Sequence, residues 1–272
     1  MSHPPMPTSR AMIAVDIEKY SGRNDQQQLH LQEALVRVLD AAAAEAGLDR
    51  STWTERQPQG DGEFSWLPPH AHLGVLVGGF VRELDGQLGL YNRRHAGPFW
   101  TRMRLRMAVH FGPVHLGAAN GVAGRHAVQQ ARLLDSAPVR RALDACPAAD
   151  LALIVSDRVY DDYISQGLGE PGAYRPVQVK VKEHSCTAYL HVPGHDVGGL
   201  GALDLFDPEG PERPDTGRAE ADDDHGRDRP RASTIVYGDQ IGGSSHRASG
   251  GGTVNVVGGD QHTYPHPWHE GR

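Results

Sequence analysis

A chain of 272 residues with 38% hydrophobic and 22% charged content can build one substantial core and one or two domains. Its net charge of -7 argues against general nucleic-acid binding, which needs clustered positive charge to displace counterions from phosphates. Cys146 and Cys186 are the only cysteines and lack metal-ligand spacing, so two ordinary thiols in a reducing compartment are expected rather than a disulfide framework.

The opening Met-Ser-His-Pro-Pro-Met-Pro-Thr-Ser-Arg lacks the apolar stretch of a signal peptide. No later segment approaches the roughly 20 apolar residues of a membrane helix, so a cytoplasmic chain with disordered residues 1–9 is expected. Met12 to Ile17 is an apolar run that predicts a buried strand, and Glu-Lys-Tyr-Ser-Gly after it turns into a helical pattern. Leu29, Leu31, Leu35, Val36 and Leu39 recur at mostly helical spacing into an alanine run through Ala46, and Gly47 is a natural stop. Trp53 to Trp66 reads as a hairpin with Gly60-Asp61-Gly62 at its tip, since glycines permit the positive backbone angles of tight turns.

Pro68 to Leu84 reads as a second helix. Met103 to Phe111 alternates Arg104, Arg106, Ala108 and His110 against Leu105, Met107, Val109 and Phe111, the pattern of a strand with one buried face. A third helix is expected over Gly124 to Ala145, interrupted at Pro138. A buried strand at Leu151 to Ser156, a short helix at Asp157 to Gln166 and a hairpin from Tyr174 to Val192 follow. Strands and helices alternate throughout, which predicts an α/β or α+β sandwich over residues 10–193.

From Gly194 the composition shifts to Gly, Pro, Asp, Glu, Arg and His, which cannot bury enough apolar surface to offset ordering entropy. Residues 194–232 are therefore expected to be a disordered charged linker. Within residues 233–272, Thr234-Ile-Val-Tyr-Gly-Asp-Gln240 is echoed by Thr253-Val-Asn-Val-Val-Gly-Gly-Asp-Gln261. Each copy joins a β-branched run to Gly-Asp-Gln. That suits either a short strand that pairs with another chain, giving self-assembly or a protein partner through residues 234–261, or a flexible tail with chance similarity. His262, His266 and His269 read as a solvated terminus, since they lack a folded frame to hold a metal.

The chemistry is concentrated in two aspartates, each in a turn: Asp16 in Ala-Val-Asp-Ile-Glu-Lys-Tyr-Ser-Gly and Asp61 in Gln-Gly-Asp-Gly-Glu-Phe. Carboxylates that converge can hold divalent cations on a nucleoside triphosphate. The plainer alternative is a pair of acidic turn residues that cap a helix and a hairpin.

Ala14-Val-Asp-Ile17 with its turn, Gly60-Asp-Gly62, Arg106-Met-Ala-Val-His-Phe-Gly-Pro-Val114 and Ala131-Arg-Leu-Leu-Asp135 follow in an order that resembles the class III nucleotide cyclase domain, the adenylate and guanylate cyclase homology family. The resemblance spans residues 10–193. It implies a ferredoxin-like core of mostly antiparallel sheet with helices packed on it. It also implies a two-metal site for Mg2+ or Mn2+, held by Asp16, Asp61 and the main-chain carbonyl of Ile17. Glu18, Lys19, Tyr20 and Ser21 would form the phosphate turn, whose amides face the triphosphate. Arg132 matches the arginine that stabilises charge on the transferring phosphoryl group, and Lys182, which could slip register with Lys180, matches a lysine on the terminal phosphates. The family pattern further implies a head-to-tail homodimer in which Asp16 and Asp61 of one chain face Arg132 of the other.

Some positions depart from that pattern. The ribose-orienting asparagine expected four residues before Arg132 is Val128, flanked by Gln129 and Gln130, and valine cannot donate a hydrogen bond. Four residues before Asp61, the base-reading position holds Gln57, whose amide suits either purine. The other base-reading position falls near Gly121, which has no side chain. Metal and phosphate machinery thus reads as retained, and sugar and base recognition as eroded. Two functions stay open: a non-catalytic signalling module that binds a nucleoside triphosphate with metal, and a cyclase that makes a 3′,5′-cyclic nucleotide and pyrophosphate. Neither calls for a membrane or a nucleic-acid partner.

Overall fold

The computed structural model describes residues 6–58, 60–118, 121–181, 184–199, 256–257 and 260–261. The chain divides into two compact units, Met1–Pro208 and Glu209–Arg272.

In the first unit β1 (Thr8–Ile17) leads into α1 (Asp25–Glu45), and β2 (Glu55–Pro58) and β3 (Gly62–Trp66) form the expected hairpin. A continuous helical segment follows: α2 (Leu73–Val75), a π-helical stretch Leu76–Phe80, and α3 (Val81–Arg94). Then come β4 (Leu105–Ala118), β5 (Gly121–Ala123), α4 (Arg125–Leu134), α5 (Ala137–Ala145) and β6 (Leu151–Ser156). α6 (Asp157–Val159) runs on as a π-helical segment Tyr160–Leu168, before the closing strands β7 (Arg175–Val181) and β8 (His184–His191). The sheet order is β2-β3-β1-β4-β6-β8-β7, with β5 paired to β4 off that path. Every pairing is antiparallel except β4 with β6. A mixed, mostly antiparallel sheet with helices packed on it is the predicted fold class.

Period-2 alternation along the central strands builds a core on each face of the sheet. Ile13, Val15, Leu105, Met107, Val109, Leu153 and Val155 join residues of α1 and α3 such as Leu35, Leu39, Leu84 and Leu88. On the opposite face Ala14, Ala108, Ala152 and Ala188 present small side chains against Leu133 of α4 and Val139, Ala142 and Leu143 of α5. These alanines let α4 lie close, and the fully buried Gln130 of α4 donates to the Ala108 carbonyl at 2.7 Å.

Several sequence expectations need correction. The strand containing Arg104 and Arg106 does not have a solvent face, because Ala108 and His110 are also buried and the arginines pair with acidic residues of β1 and its turn. The second helix starts at Leu73 rather than Pro68 and continues to Arg94. The third helix is in fact α4 and α5, separated at Asp135–Ser136, with Pro138 in the first turn of α5, where its missing N–H is harmless. Leu29 and Val36, which follow the apolar spacing, are exposed, while Leu31, Leu35, Val38 and Leu39 are buried. β1 already begins at Thr8, inside the stretch expected to be disordered, and Val197 beyond residue 193 is buried with the second core.

In the second unit, Val256–Val257 pairs antiparallel with Asp260–Gln261, inside the second repeat. The first repeat, Thr234 to Gln240, lies outside the described residues.

Stacked imidazoles tie α4 to β4: His110 and His126 share a hydrogen bond of 2.8 Å, and Gly112 leaves the room that the His126 ring fills. His110 is 2% exposed, and burial, with His126 and Arg158 adding positive charge nearby, lowers its pKa from 6.5 to about 3. Between those values the unfolded chain takes up a proton that the folded chain refuses, so this residue's contribution falls by roughly 1.4 kcal/mol for each pH unit below 6.5. Asp16 has the opposite sign, because its raised pKa of about 6 makes the folded state take up a proton before the unfolded one does. His110→Gln removes only the first effect. Urea melts at pH 6.5 and 5 should therefore show a smaller acid-induced loss, or a larger gain, in the variant by about 2 kcal/mol. Parallel pH profiles for the two proteins would refute a neutral buried His110.

Candidate nucleotide and metal site

Pairing places the aspartates together. In the β1 register Asp16 lies opposite Gly62 on one side and Arg106 on the other, and Asp61 immediately precedes Gly62 at the hairpin tip. The Ile17 amide donates to the Asp61 carbonyl at 2.7 Å, which fastens the tip to the end of β1. Burial pushes the Asp16 carboxyl up to about 6; Arg106 pulls it down, and the Asp61 charge adds to the rise. Burial also raises the Asp61 carboxyl, against a backbone hydrogen bond and Arg106. These desolvated carboxylates, in one electrostatic neighbourhood, need positive charge.

The turn after Ile17 has an unusual backbone. Lys19 is the one non-glycine residue with positive φ among the described residues (φ 56, ψ 30), followed by a 3-10 turn Tyr20–Gly22. A left-handed residue next to right-handed ones aims successive amides toward one side, the concavity that anions occupy. The turn does not open α1 directly, as the sequence suggests. Asn24 caps α1 in a reciprocal capping box with Gln27, and the Glu18 amide is already bonded to the Arg104 carbonyl at 2.9 Å. Any anion must therefore use the amides from Lys19 onward.

The turn is braced from below by arginines. Arg23 donates to the carbonyls of Glu18, Trp100 and Arg102 at 2.9, 3.1 and 3.1 Å. Arg104 pairs with the Glu18 carboxylate at 2.9 Å and also donates to the carbonyls of Ala149, Cys146 and Leu143 near the end of α5. Glu18 is thus a structural anchor of the turn. Tyr20 accepts from Gln32 of α1 at 2.6 Å. The Lys19 side chain is 72% exposed, with its Nζ 3.5 and 3.8 Å from Glu18 and Asp144.

The remaining sequence-predicted residues are scattered. Gln57 on β2 folds over Gly121: a Cβ there would lie 2.1 Å from the Gln57 Nε2. The two positions to which the resemblance gives base reading therefore meet, and one fills the space the other lacks. Val128 is 42% exposed on α4, and Gln130, two residues further on, is committed to Ala108, so it cannot stand in for the missing asparagine. Arg132 makes no hydrogen bond or ion pair among the described residues, and the positive charges felt by Asp16 come from Arg106 and Arg140. Lys182 lies outside the described residues. Sequence reasoning passed over Arg106 and Arg140. The signal for Arg106 was its place on the strand that pairs with β1, legible only once the register is known.

No protein-family model matches the sequence, and no curated protein does. Solved structures do match. The guanylyl cyclase Cya2 superposes with a TM-score of 0.50 at 12% identity, over 68% of this chain and 91% of that one. A bacterial light-regulated adenylyl cyclase gives 0.48 at 12% identity over 74% and 96% of the respective chains. An adenylate/guanylate cyclase/hydrolase from Silicibacter pomeroyi gives 0.46 at 19% identity over 70% and 99%. Identities this low speak to architecture alone. With its mostly antiparallel sheet, two helical layers and paired β1 and hairpin aspartates, the chain carries the fold of class III adenylyl and guanylyl cyclase domains in a divergent sequence.

Proposed function

We propose that this chain is a cyclase-homology signalling module that binds a nucleoside triphosphate together with Mg2+ or Mn2+, with ribose and base recognition eroded. The observation that supports it best is the juxtaposition of two partly buried carboxylates, Asp16 and Asp61, with the left-handed turn at Lys19. An all-oxygen donor set of two carboxylates and the Ile17 carbonyl suits hard divalent cations, and the desolvation of both carboxylates is relieved by such a charge. When bound, the metal pair supplies Lewis acidity and neutralises phosphate charge. The chain's own residues hold the ligand: Asp16 and Asp61 offer oxygens, the amides from Lys19 to Ser21 face phosphates, and the Lys19 ammonium adds positive charge. Val128 leaves the ribose without a donor, and Gln57, folded on Gly121, contributes little to choice of base.

Arg132 is assigned to the site of a second copy in a head-to-tail homodimer, and Lys182 to the terminal phosphates. The tail repeats at 234–261 are assigned to self-assembly or recruitment of a partner. A triphosphate with Mn2+ is expected to raise the melting temperature, because a ligand that binds only the folded state stabilises it by mass action. Asp16→Ala combined with Asp61→Ala should abolish the shift. An equal shift in the double variant would rule out metal-dependent binding here.

The intact carboxylate pair also suits the alternative of a slow cyclase. Mass spectrometry for cyclic product after incubation with Mn2+ and each triphosphate separates the readings. If product forms, Val128→Asn should raise turnover on the order of 10²-fold by restoring an orienting hydrogen bond. Unchanged turnover with nucleotide binding intact would show that the missing asparagine is not what limits it.

A further inference from the structure

Asp16 already has a cation. Arg106 Nε and Nη2 donate to its two carboxylate oxygens at 2.8 and 2.5 Å, a bidentate fork that satisfies both oxygens at once. β1 and β4 place the residues directly opposite each other, and their side chains are only 15% and 17% exposed, so the pair is set by the sheet itself and shielded from water. The arrangement differs from the other arginines of the site. Arg23 and Arg104 brace backbone carbonyls and Glu18, whereas Arg106 makes its hydrogen bonds only to Asp16 among the described residues.

A guanidinium fork takes one lone pair on each carboxylate oxygen and sets a second positive charge against any divalent cation that would use the others, so the two compete for Asp16. Resting on the reading of Asp16 as a metal ligand, we propose that Arg106 is an internal counter-ion that a divalent cation must displace, so that metal loading and release of Arg106 are one event. Arg106 then sets the metal affinity of the site: the resting chain is held against metal by its own arginine, and whatever draws that side chain away opens the site.

Mn2+ binding to the full-length protein without nucleotide, followed by calorimetry and by the loss of the free-ion electron paramagnetic resonance signal, tests this. Arg106→Gln frees the carboxylate and should tighten Mn2+ binding on the order of tenfold or more, within the usual range of coupling between sites. Arg106→Lys keeps the charge but loses the fork, and should fall between that variant and the parent. Arg140→Gln removes another positive charge felt by Asp16 without freeing its oxygens, and should change affinity far less. If Arg106→Gln does not fold, Arg106→Lys against Arg140→Gln still decides the matter. Equal gains in Arg140→Gln and the Arg106 variants, or no gain in the latter while Asp16→Asn abolishes binding, would overturn displacement and leave the metal site standing. Absence of Mn2+ binding in every variant would sink the metal reading itself, and this inference with it.

Discussion

Arg50→Ala is expected to destabilise the first unit by roughly 3–5 kcal/mol, the cost of removing one partner from a buried ion pair. The Arg50 side chain is 4% exposed; its Nη2 lies 2.9 Å from Glu63 on β3 and its Nε 2.8 Å from Asp40 on α1. Its guanidinium also sits 5.0 Å from the Trp53 ring centroid. Truncation leaves the Glu63 carboxylate, 10% exposed, with Ser65 as its one hydrogen-bonding partner among the described residues. The cost is therefore chiefly that of an uncompensated buried charge. Arg50→Met combined with Glu63→Leu removes both charges and should recover most of the loss, as hydrophobic replacement of a buried pair often does. Denaturant melts of the three variants against the parent measure this. A loss below about 1 kcal/mol in Arg50→Ala would mean that water or a shifted side chain satisfies Glu63. Because Glu63 follows Gly62 on β3, the same pair anchors the hairpin that carries Asp61.

The parts of the fold legible in the sequence are those set by local pattern. The apolar run Met12–Ile17, the hairpin around Gly60-Asp61-Gly62 and the buried strand Leu151–Ser156 all follow from periodicity and turn chemistry. What could not be read depends on partners distant in the chain. Arg104 and Arg106 look solvent-facing in an alternating strand, and only the pairing of β4 with β1 shows that they are buried against Glu18 and Asp16. Pro138 looks like a break inside one helix, whereas Ser136 starts a new one, because proline is as compatible with a first turn as it is disruptive later. The two aspartates stand out in the sequence because their turns carry them, and the structure brings the hairpin tip to the end of β1. The arginine that neutralises Asp16 does not stand out, since its sequence position shows only a basic residue on a strand. The π-helical stretch at Leu76–Phe80 has no period that a sequence window separates from an α-helix.

Gly62→Ala is expected to be more damaging than its chemistry suggests, and for a reason other than turn flexibility. Gly60 has the positive φ, +80, and a Cβ there meets nothing closer than 3.9 Å. Gly62 is not among the positive-φ glycines; its Cβ would lie 2.0 Å from the Val15 carbonyl oxygen and 3.0 Å from the Asp16 Cα. Both obstacles are backbone, so no side chain can rotate aside and β3 must move away from β1. That movement breaks the 2.7 Å bond from the Ile17 amide to the Asp61 carbonyl and carries Asp61 off the end of β1. Overpacking a close-packed site costs typically 1–3 kcal/mol, and a rigid backbone neighbour puts Gly62→Ala at or above about 3 kcal/mol. Gly60→Ala should lose only about 1–2 kcal/mol, the cost of a left-handed non-glycine residue. Denaturant melts of both variants give the ranking, and melting with Mn2+ and triphosphate gives its functional counterpart: Gly60→Ala retains the ligand-induced shift and Gly62→Ala loses it. Equal destabilisation by the two substitutions would mean that β1 and β3 are not in this close register, and that the convergence of Asp16 and Asp61 does not depend on it.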